Sequence, residues 1–309
     1  MQRSSLVGIA GLFALAFLAS CSHSPSGPDA ATPRATGPVT IYTVNYPLQY
    51  FAQRLGGQHV KVVFPAPADT DPALWTPSPA IIAGYQSADL ILLNGASYAQ
   101  WTRTVSLPPS KLVDTSASFH DQIIQVEQGV THSHGPGGEH AHAGVAFTTW
   151  LDPRLAILQA AAIHAELISL RPQYADDFNR GFDSLKEDLE EIDARIAGVV
   201  GQKNELPLIF SHPVYQYFTR RYDLYAEAVP WEPNEMPLEA MWQEFASLRE
   251  RHPAAWMIWE DEPDKAIVSK LREMGMESIV FAPCGNAPSE GDYLARMHAN
   301  IENLAKVFQ

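Results

Sequence analysis

The sequence predicts an α/β protein in which two Rossmann-like lobes, each built on a parallel sheet, are joined by one long backbone helix. Short β-rich segments alternate with segments of helical periodicity after residue 38 and again towards the end of the chain. Between these two regions lies a longer run in which apolar residues recur at steps of three and four. Alternating strands and helices favour parallel sheets covered by helices, with binding sites at the carboxyl ends of the strands.

The N-terminal lobe is predicted over residues 39–150. It opens with the β-rich segment Val39–Thr43, and a helical segment follows that stops at a pair of glycines. A second strand is predicted at His59–Phe64, whereas residues 65–79 contain five prolines and are therefore expected to form an irregular loop. A helix and a leucine-rich buried strand follow. This order is the one expected of a parallel sheet whose strands are connected by helices.

Residues 151–204 are predicted to be helical and to include the backbone helix. The apolar positions of that helix run from Phe178 to Val199, with charged residues between them. This pattern indicates one amphipathic helix rather than a coiled coil, because it covers only about three heptads. The C-terminal lobe is predicted over residues 205–309, where β-rich segments again precede helices and the last helix ends near Val307.

The N-terminus has the features of a bacterial export signal. Residues 1–20 contain a basic residue, an apolar run too short to span a bilayer, and small residues directly before Cys21. The tetrad Leu18-Ala19-Ser20-Cys21 resembles the lipobox, in which the cysteine is lipidated and becomes the first residue of the mature protein. Residues 21–38 are rich in Ser, Pro, Gly and Ala and are predicted to form a flexible tether. We expect an exported protein that is lipid-anchored to a bacterial membrane, on its periplasmic or cell-surface side.

Composition restricts the partners and the chemistry. A formal net charge of −14 disfavours nucleic-acid binding and favours the attraction of cations. The chain has two cysteines, and if Cys21 carries lipid then Cys284 is a single thiol, which excludes both an internal disulfide and a cysteine-based zinc site. The sequence has no nucleophile elbow, glycine-rich phosphate loop or HExxH motif. We therefore do not expect an enzyme.

A histidine-rich loop is predicted at residues 131–143. Within each of its two histidine pairs the members are two residues apart, so in an extended backbone they project to the same side. The Gly-Pro-Gly-Gly between the pairs is typical of a tight reversal, and zinc-like ions favour nitrogen ligands. We expect this loop to contact metal, and a rigid four-histidine site is one form that the contact can take. The alternative is a solvated, disordered loop whose histidines never converge. The four metal-ligand candidates are His132, His134, His140 and His142.

Several short motifs follow one another in a defined order and spacing. They are Tyr46-Pro47-Leu48, Asp71-Pro72 with Trp75-Thr76-Pro77-Ser78-Pro79, Ala88-Asp89 with Asn94-Gly95, Trp150-Leu151-Asp152-Pro153, and Ser211-His212. In this order the sequence resembles the zinc/manganese solute-binding lipoproteins of bacterial ABC importers, and the resemblance covers nearly all of the chain from Val39 to Phe308. It implies two lobes joined by a rigid helix, with the ion held in the cleft between them and passed to a membrane permease.

The chain departs from the family at its metal ligands. The resemblance implies a histidine in the proline-rich loop, where this chain has Ala73, and a second histidine before the Trp-Leu-Asp-Pro motif, where it has Thr148. The third expected histidine is present as His212. An acidic ligand is expected after the last strand, where the chain has Ala282. A single imidazole does not hold zinc tightly, because zinc sites use three or four protein donors.

Three explanations for these departures stay open. In the first, the site is relocated, and His212 is joined by donors drawn from the histidine-rich loop or from the acidic residues near the cleft. In the second, the loop alone collects metal and the cleft is vestigial or holds something else. In the third, the protein no longer binds metal and serves an interaction role. The acidic candidates are Asp71, Glu232, Glu235, Glu260 and Asp261, of which Asp71, Glu235 and Glu260 are preferred as cleft donors.

The function that the resemblance implies is that of an extracytoplasmic solute-binding lipoprotein. It would carry a zinc-like divalent cation, with manganese or another divalent ion as the alternative metal, to the ABC permease of a metal importer, from a ligand-depleted cleft site. The alternative is a binding protein for a different ligand, or a lipoprotein that buffers metal or mediates interactions without transport. The metal content of the purified protein discriminates between these functions.

Overall fold

The computed structural model describes residues 37–309 except for residues 69, 127–130, 134–138, 142–143 and 202. In the strands at residues 131–133 and 139–141 it describes the backbone. The predicted export signal, Cys21 and the tether up to residue 36 lie outside the described residues. Residues 38–309 form one compact unit.

The N-terminal sheet has four parallel strands in the order β2-β1-β3-β4. Its central strands are completely buried at most positions, because helices cover the sheet. The elements are β1 (Val39–Thr43), α1 (Tyr46–Gly56), β2 (Val60–Val63), α2 (Pro79–Ser87), β3 (Leu90–Leu93) and β4 (Leu112–Asp114).

Two short antiparallel strand pairs and two helices lead from this sheet to the next. The first pair joins β5 to β8, and the second joins β6 to β7. The helix α3 is capped at its start by Asp152, whose side chain accepts a hydrogen bond from the Arg154 N–H at 2.9 Å. The elements are β5 (Gln125–Val126), β6 (Thr131–Ser133), β7 (Glu139–Ala141), β8 (Gly144–Val145), α3 (Pro153–Leu170) and α4 (Ala175–Val200).

The C-terminal sheet also has four parallel strands, in the order β10-β9-β11-β12. The prediction of two parallel-sheet lobes with a long helix between them is therefore confirmed. The elements are β9 (Leu208–Phe210), α5 (Gln216–Tyr222), β10 (Ala226–Ala228), α6 (Glu239–Arg251), β11 (Trp256–Trp259), α7 (Lys265–Glu273), β12 (Glu277–Val280) and α8 (Tyr293–Val307).

The predicted helices form with small shifts at their ends. The backbone helix α4 extends beyond the apolar run that predicted it, beginning three residues before Phe178 and ending one after Val199. The last helix begins at Tyr293 rather than near Glu290, because Asp292 caps it by accepting a hydrogen bond from the Ala295 N–H at 2.9 Å. Among the described helices, none is both long enough and apolar enough to cross a membrane.

The apolar face of α4 is the centre of the packing. It lies against α1, α3 and α8, and its inward side chains, among them Phe178, Leu185 and Leu189, are completely buried. One continuous apolar core contains these residues together with strand residues of both sheets, such as Ile41 and Phe210. The two lobes therefore share a core instead of being connected by a solvated linker.

The loop that follows β12 returns to the N-terminal lobe. Within it, Cys284 adopts a left-handed backbone conformation with φ at 63°, which is strained for a non-glycine residue. Hydrogen bonds between the neighbouring residues of this loop and the N-terminal lobe hold the loop in place. These bonds join Trp150 Nε1 to Pro283 O at 2.7 Å, Tyr46 N to Gly285 O at 3.0 Å, and Asn286 Nδ2 to Thr70 O at 2.8 Å.

Two glycines of α4 lie in contrasting surroundings. A Cβ atom added at Gly181 would lie 2.7 Å from the backbone oxygens of Arg54 and Leu55, which belong to α1. A Cβ atom added at Gly198 would meet nothing within 4 Å. The helix-to-helix distance therefore depends on the first glycine and not on the second.

We predict that Gly181→Ala and Gly198→Ala change stability in opposite directions. Gly181→Ala should lower the free energy of unfolding by about 1–3 kcal/mol, because the added methyl group forces two helices apart. Gly198→Ala should raise it by roughly 0.5–1 kcal/mol, because alanine reduces the entropy of the unfolded chain in an unobstructed helical position. Urea unfolding of both variants beside the parent measures the two effects. A shift of the same sign in both variants would contradict the role given to Gly181.

Candidate metal centre

A cavity of about 850 Å³ lies in the cleft between the two lobes. The proline-rich loop and the Phe147–Trp150 segment line it from the N-terminal lobe, and the strand ends of the second sheet line it from the other side. This is the place where α/β proteins of this type hold their ligands, at the carboxyl ends of parallel strands.

Three adjacent strands of the C-terminal sheet deliver metal-ligating side chains to this cavity. His212 follows β9, Glu232 follows β10 and Glu260 directly follows β11. The pairing of β9 with β10 continues past the strands, because the Trp231 N–H donates to the Ser211 carbonyl at 2.7 Å. This bond brings Glu232 beside His212 although the two are far apart in sequence.

The three side chains form a compact donor cluster. The distance from His212 Nδ1 is 3.5 Å to Glu232 Oε1 and 3.9 Å to Glu260 Oε1. One ligand atom from each residue lies within 4.8 Å of the other two, and within the described residues this is the one group of three or more such side chains close enough to share an ion. In a tetrahedral zinc site with bonds of about 2.0–2.1 Å, ligand atoms are about 3.3 Å apart. The ligand atoms of the cluster lie somewhat farther apart than this, so the two carboxylates would move closer to His212 and to each other to share an ion.

The cluster is partly shielded from water. The side chain of His212 is 4% exposed, that of Glu232 17% and that of Glu260 24%. A buried imidazole beside two carboxylates gives a mixed nitrogen and oxygen donor set with a formal charge of −2 when both carboxyls are ionised. That set matches the charge of one divalent cation and the ligand chemistry of zinc.

At three positions the family pattern has a metal-ligating side chain and this chain has none. The structure shows the surroundings of the residues at these positions. Ala73 is buried in the apolar core and is absent from the cavity lining. The hydroxyl of Thr148 donates to the carbonyl of Val214, which ties the N-terminal lobe to the segment that carries His212. Ala282 lines the cavity, but its backbone is held by the Asn300 side chain, with bonds of 2.9 and 2.8 Å.

The remaining acidic candidates are distributed differently from the expectation. Asp71 and Asp261 line the same cavity but lie outside the donor cluster. Glu235, one of the preferred candidates, is exposed and lies outside both the cluster and the cavity lining. Glu232, which is not among the preferred cleft donors that the sequence predicts, lies beside His212.

Two of the four histidines of the histidine-rich loop, His134 and His142, lie outside the described residues. The backbone on either side of the Gly-Pro-Gly-Gly reverses direction, since β6 and β7 pair antiparallel with His132 opposite His140 in register. Metal contact by this loop stays a prediction.

Two other side chains near the cluster are held neutral. Burial raises the pKa of the Cys284 thiol to about 12, so it is not a thiolate at neutral pH and is a poor soft ligand. Burial also raises the pKa of Tyr215 well above its ordinary value, and the charge of Glu260 adds to the effect. The Tyr215 hydroxyl instead donates to the Phe281 carbonyl at 2.7 Å. Neither group competes with the cluster for a metal.

Two further residues that line the cavity, Tyr98 and Arg296, carry no motif that marks them in the sequence. Tyr98 lies in an irregular segment where Ala96, Ser97 and Ala99 all have positive φ, a conformation that residue types alone do not reveal. Arg296 lies on α8 at a position that helical periodicity marks only as polar. No sequence signal could have placed either residue at the cleft.

The chain is similar in sequence to curated proteins that are named for zinc binding or zinc uptake. The "Zinc-binding lipoprotein AdcA" of Streptococcus pneumoniae strain R6 is 24% identical over 316 residues, which cover 98% of this chain and 60% of AdcA. The chain thus spans about 60% of the length of the first curated relatives that it matches. The "High-affinity zinc uptake system protein ZnuA" of Bacillus subtilis is 22% identical over 320 residues, which cover 97% of this chain and 96% of that protein.

Solved structures share the fold. The Zn(II)-bound ZnuA-like domain of Streptococcus pneumoniae AdcA aligns with a TM-score of 0.75 at 21% identity, covering 88% of this chain and 99% of that domain. The solute-binding protein FpvC of Pseudomonas aeruginosa, in complex with Mn²⁺, aligns with a TM-score of 0.71 at 19% identity, covering 88% and 98%. These relatives are described as binding and uptake proteins, which agrees with the expectation that the chain is not an enzyme. Residues 41–307 match the family model "ZnuA: Zinc-uptake complex component A periplasmic", and the chain therefore belongs to the ZnuA family.

Proposed function

We propose that this protein is an exported, metal-binding solute-binding lipoprotein that delivers a divalent cation to the ABC permease of a metal importer. Zinc is the proposed cargo, and manganese or another divalent ion is the alternative. The observation that carries the proposal is the cluster of His212, Glu232 and Glu260, whose ligand atoms lie within 4.8 Å of one another at the strand ends of the cleft. Family membership supports the uptake role.

The donor set supports a site that is relocated rather than lost. One imidazole nitrogen and two carboxylate oxygens are ligands that zinc accepts, and water or a further group completes the shell. A set rich in oxygen also suits harder ions, so selectivity between zinc and manganese should be looser than in a site of three histidines. The Mn²⁺ complex of FpvC is consistent with such a range within this fold.

The other parts of the chain are assigned roles around this site. Cys21 is proposed to carry the lipid anchor, and residues 21–38 are proposed to tether the folded unit to the membrane. The histidine-rich loop at residues 131–143 is proposed to collect ions with modest affinity and to raise their concentration near the cleft. The ion is then released from the cleft to the permease.

We predict that His212→Ala abolishes zinc binding in the cleft. In a chain that lacks residues 131–143, about one zinc ion should remain bound, and His212→Ala should remove it, because two carboxylates alone leave a weak site. Isothermal titration with zinc chloride measures stoichiometry and affinity. His120→Ala is the matched control, since His120 is exposed and lies outside the donor cluster. Tight zinc binding that survives in the His212→Ala protein would place the site elsewhere.

We predict that Glu232→Gln weakens zinc binding at least tenfold, whereas Glu235→Gln leaves it unchanged. The amide keeps the shape of the side chain but removes the negative charge that favours the ion, and a loss of about 1.4 kcal/mol corresponds to a factor of ten. Glu235 is three residues away and exposed, which makes it a close control. Competition with a zinc-sensitive chelating dye measures both variants. Equal effects in the two variants would indicate a general charge effect instead of ligation.

We predict that the histidine-rich loop contributes additional zinc binding that disappears on acidification. Ordinary histidine titrates near pH ~6.5, and a protonated imidazole cannot bind metal. The zinc bound by the full chain in excess of that bound by the loop-deleted chain should therefore be present at pH 8 and lost at pH 5. Equilibrium dialysis of the two proteins at both pH values gives the difference. Excess binding that is equal at the two pH values would exclude histidine as the ligand.

A further inference from the structure

The cavity is much larger than the donor cluster requires. An ion with its ligand atoms is contained within a few ångströms, and each water molecule fills about 30 Å³. The cavity measures about 850 Å³, within the range of roughly 300–1,000 Å³ that is typical of sites for small organic ligands. All three clustered donors come from the C-terminal lobe, so the part of the lining that the N-terminal lobe supplies contributes none of them.

The opposite wall of the cavity is aromatic. Trp75, Tyr98, Phe147 and Trp150 line it. The Tyr98 ring packs edge-on against Phe147, with ring centroids 5.3 Å apart, and against Trp150 at 5.7 Å. Such a wall offers the faces and edges that planar organic groups prefer.

Tyr98 also brings a hydrogen-bond donor to this wall. Its side chain is 7% exposed, and its buried hydroxyl has no hydrogen-bond partner among the described residues. Burial, and secondarily the charge of Asp71, raises the pKa of this hydroxyl well above its ordinary value, so it stays protonated. Most buried hydroxyls are hydrogen-bonded, so this donor could be satisfied by a group that enters the cavity. Arg296 supplies a guanidinium to the same cavity.

The charge of the lining limits what can enter. Among the described residues that line the cavity, four carry carboxylates, namely Asp71, Glu232, Glu260 and Asp261, and one, Arg296, carries a guanidinium. This excess of negative charge favours a cationic ligand. A free organic acid or an anionic metal complex would be repelled, whereas one carboxylate on a cationic complex could be met by Arg296 and by the Tyr98 hydroxyl.

We propose that the cleft takes its metal as a cationic one-to-one complex with a small planar chelator that carries a single carboxylate. The metal lies on His212, Glu232 and Glu260, the planar ring lies against the aromatic wall, and the carboxylate accepts hydrogen bonds from Tyr98 and Arg296. This proposal rests on the proposed function, since it concerns the form in which the same site receives its ion.

The test uses the full chain and pyridine-2-carboxylate, which chelates zinc through its ring nitrogen and carboxylate. Equilibrium dialysis with radiolabelled zinc and separately labelled carboxylate measures both components. Wild type should retain pyridine-2-carboxylate only when zinc is present. Pyridine-3-carboxylate, of equal mass and charge but unable to form the chelate ring, should not be retained, and neither should the anionic complex of zinc with citrate.

Variants separate this inference from the proposed function. Tyr98→Phe, which removes one hydroxyl, and Arg296→Gln should each weaken retention of the zinc–pyridine-2-carboxylate complex by about tenfold, in line with the loss of a hydrogen bond to a charged group. Tyr98→Phe should leave the affinity for zinc chloride alone unchanged, and Arg296→Gln should not lower it, because the loss of a positive charge does not disfavour a cation. Zinc binding that is retained in this way also shows that the variants fold. His212→Ala should lose the carboxylate together with the cleft zinc.

Two results would overturn the inference while leaving the proposed function intact. One is zinc binding that depends on His212 without any retention of pyridine-2-carboxylate, which would mean that water fills the cavity. The other is retention that is equal in wild type, Tyr98→Phe and Arg296→Gln. Zinc binding in the cleft that does not depend on His212 would instead overturn the proposed function itself.

Discussion

The burial of the apolar face of α4 is the constraint on which the rest of the structure depends. This helix packs against α1, α3 and α8, and through them one apolar core continues from the first sheet to the second. A close-packed interior resists continuous deformation, so we expect the lobes to keep a fixed relation to each other. Hydrogen bonds from Trp150 and Tyr46 to the loop after β12 act in the same direction at the base of the cleft. Both features favour a preformed cleft.

In a cleft of fixed geometry, a metal ligand that is missing at the end of one strand can be replaced by a ligand at the end of the neighbouring strand. The resemblance places an acidic ligand at residue 282, after β12, where this chain has alanine. Glu260 follows the adjacent strand β11, and parallel strands lie only about 4.8 Å apart. A carboxylate that moves by one strand can therefore still reach an ion beside His212. Asn300 holds the backbone of Ala282 in place, so the loss of the ligand there does not disturb the end of the sheet.

The fold could be predicted from the sequence because it depends on patterns that the sequence carries directly. The apolar periodicity of α4 and the apolar runs of the buried strands mark those elements within a few residues. The choice between Glu232 and Glu235 could not be predicted, because both lie in an irregular segment after β10. That choice depends on a single backbone hydrogen bond, from Trp231 to Ser211, that links two distant segments. The role of Tyr98 likewise depends on local positive φ values that residue types do not encode.

The substitutions on the N-terminal side of the cleft change the character of the site as a whole. Where the family pattern would bring imidazoles from both lobes, here Thr148 ties the two lobes together through Val214 and Ala73 joins the core. Within the described residues the clustered donors all come from one sheet, so an ion there keeps open coordination positions towards the cavity. Open positions let an incoming donor bind before the protein ligands dissociate, which allows an ion to leave without separation of the lobes. We infer that a one-sided donor set suits a rigid two-lobed protein, since ligand exchange would then replace hinge opening in the proposed release of the ion.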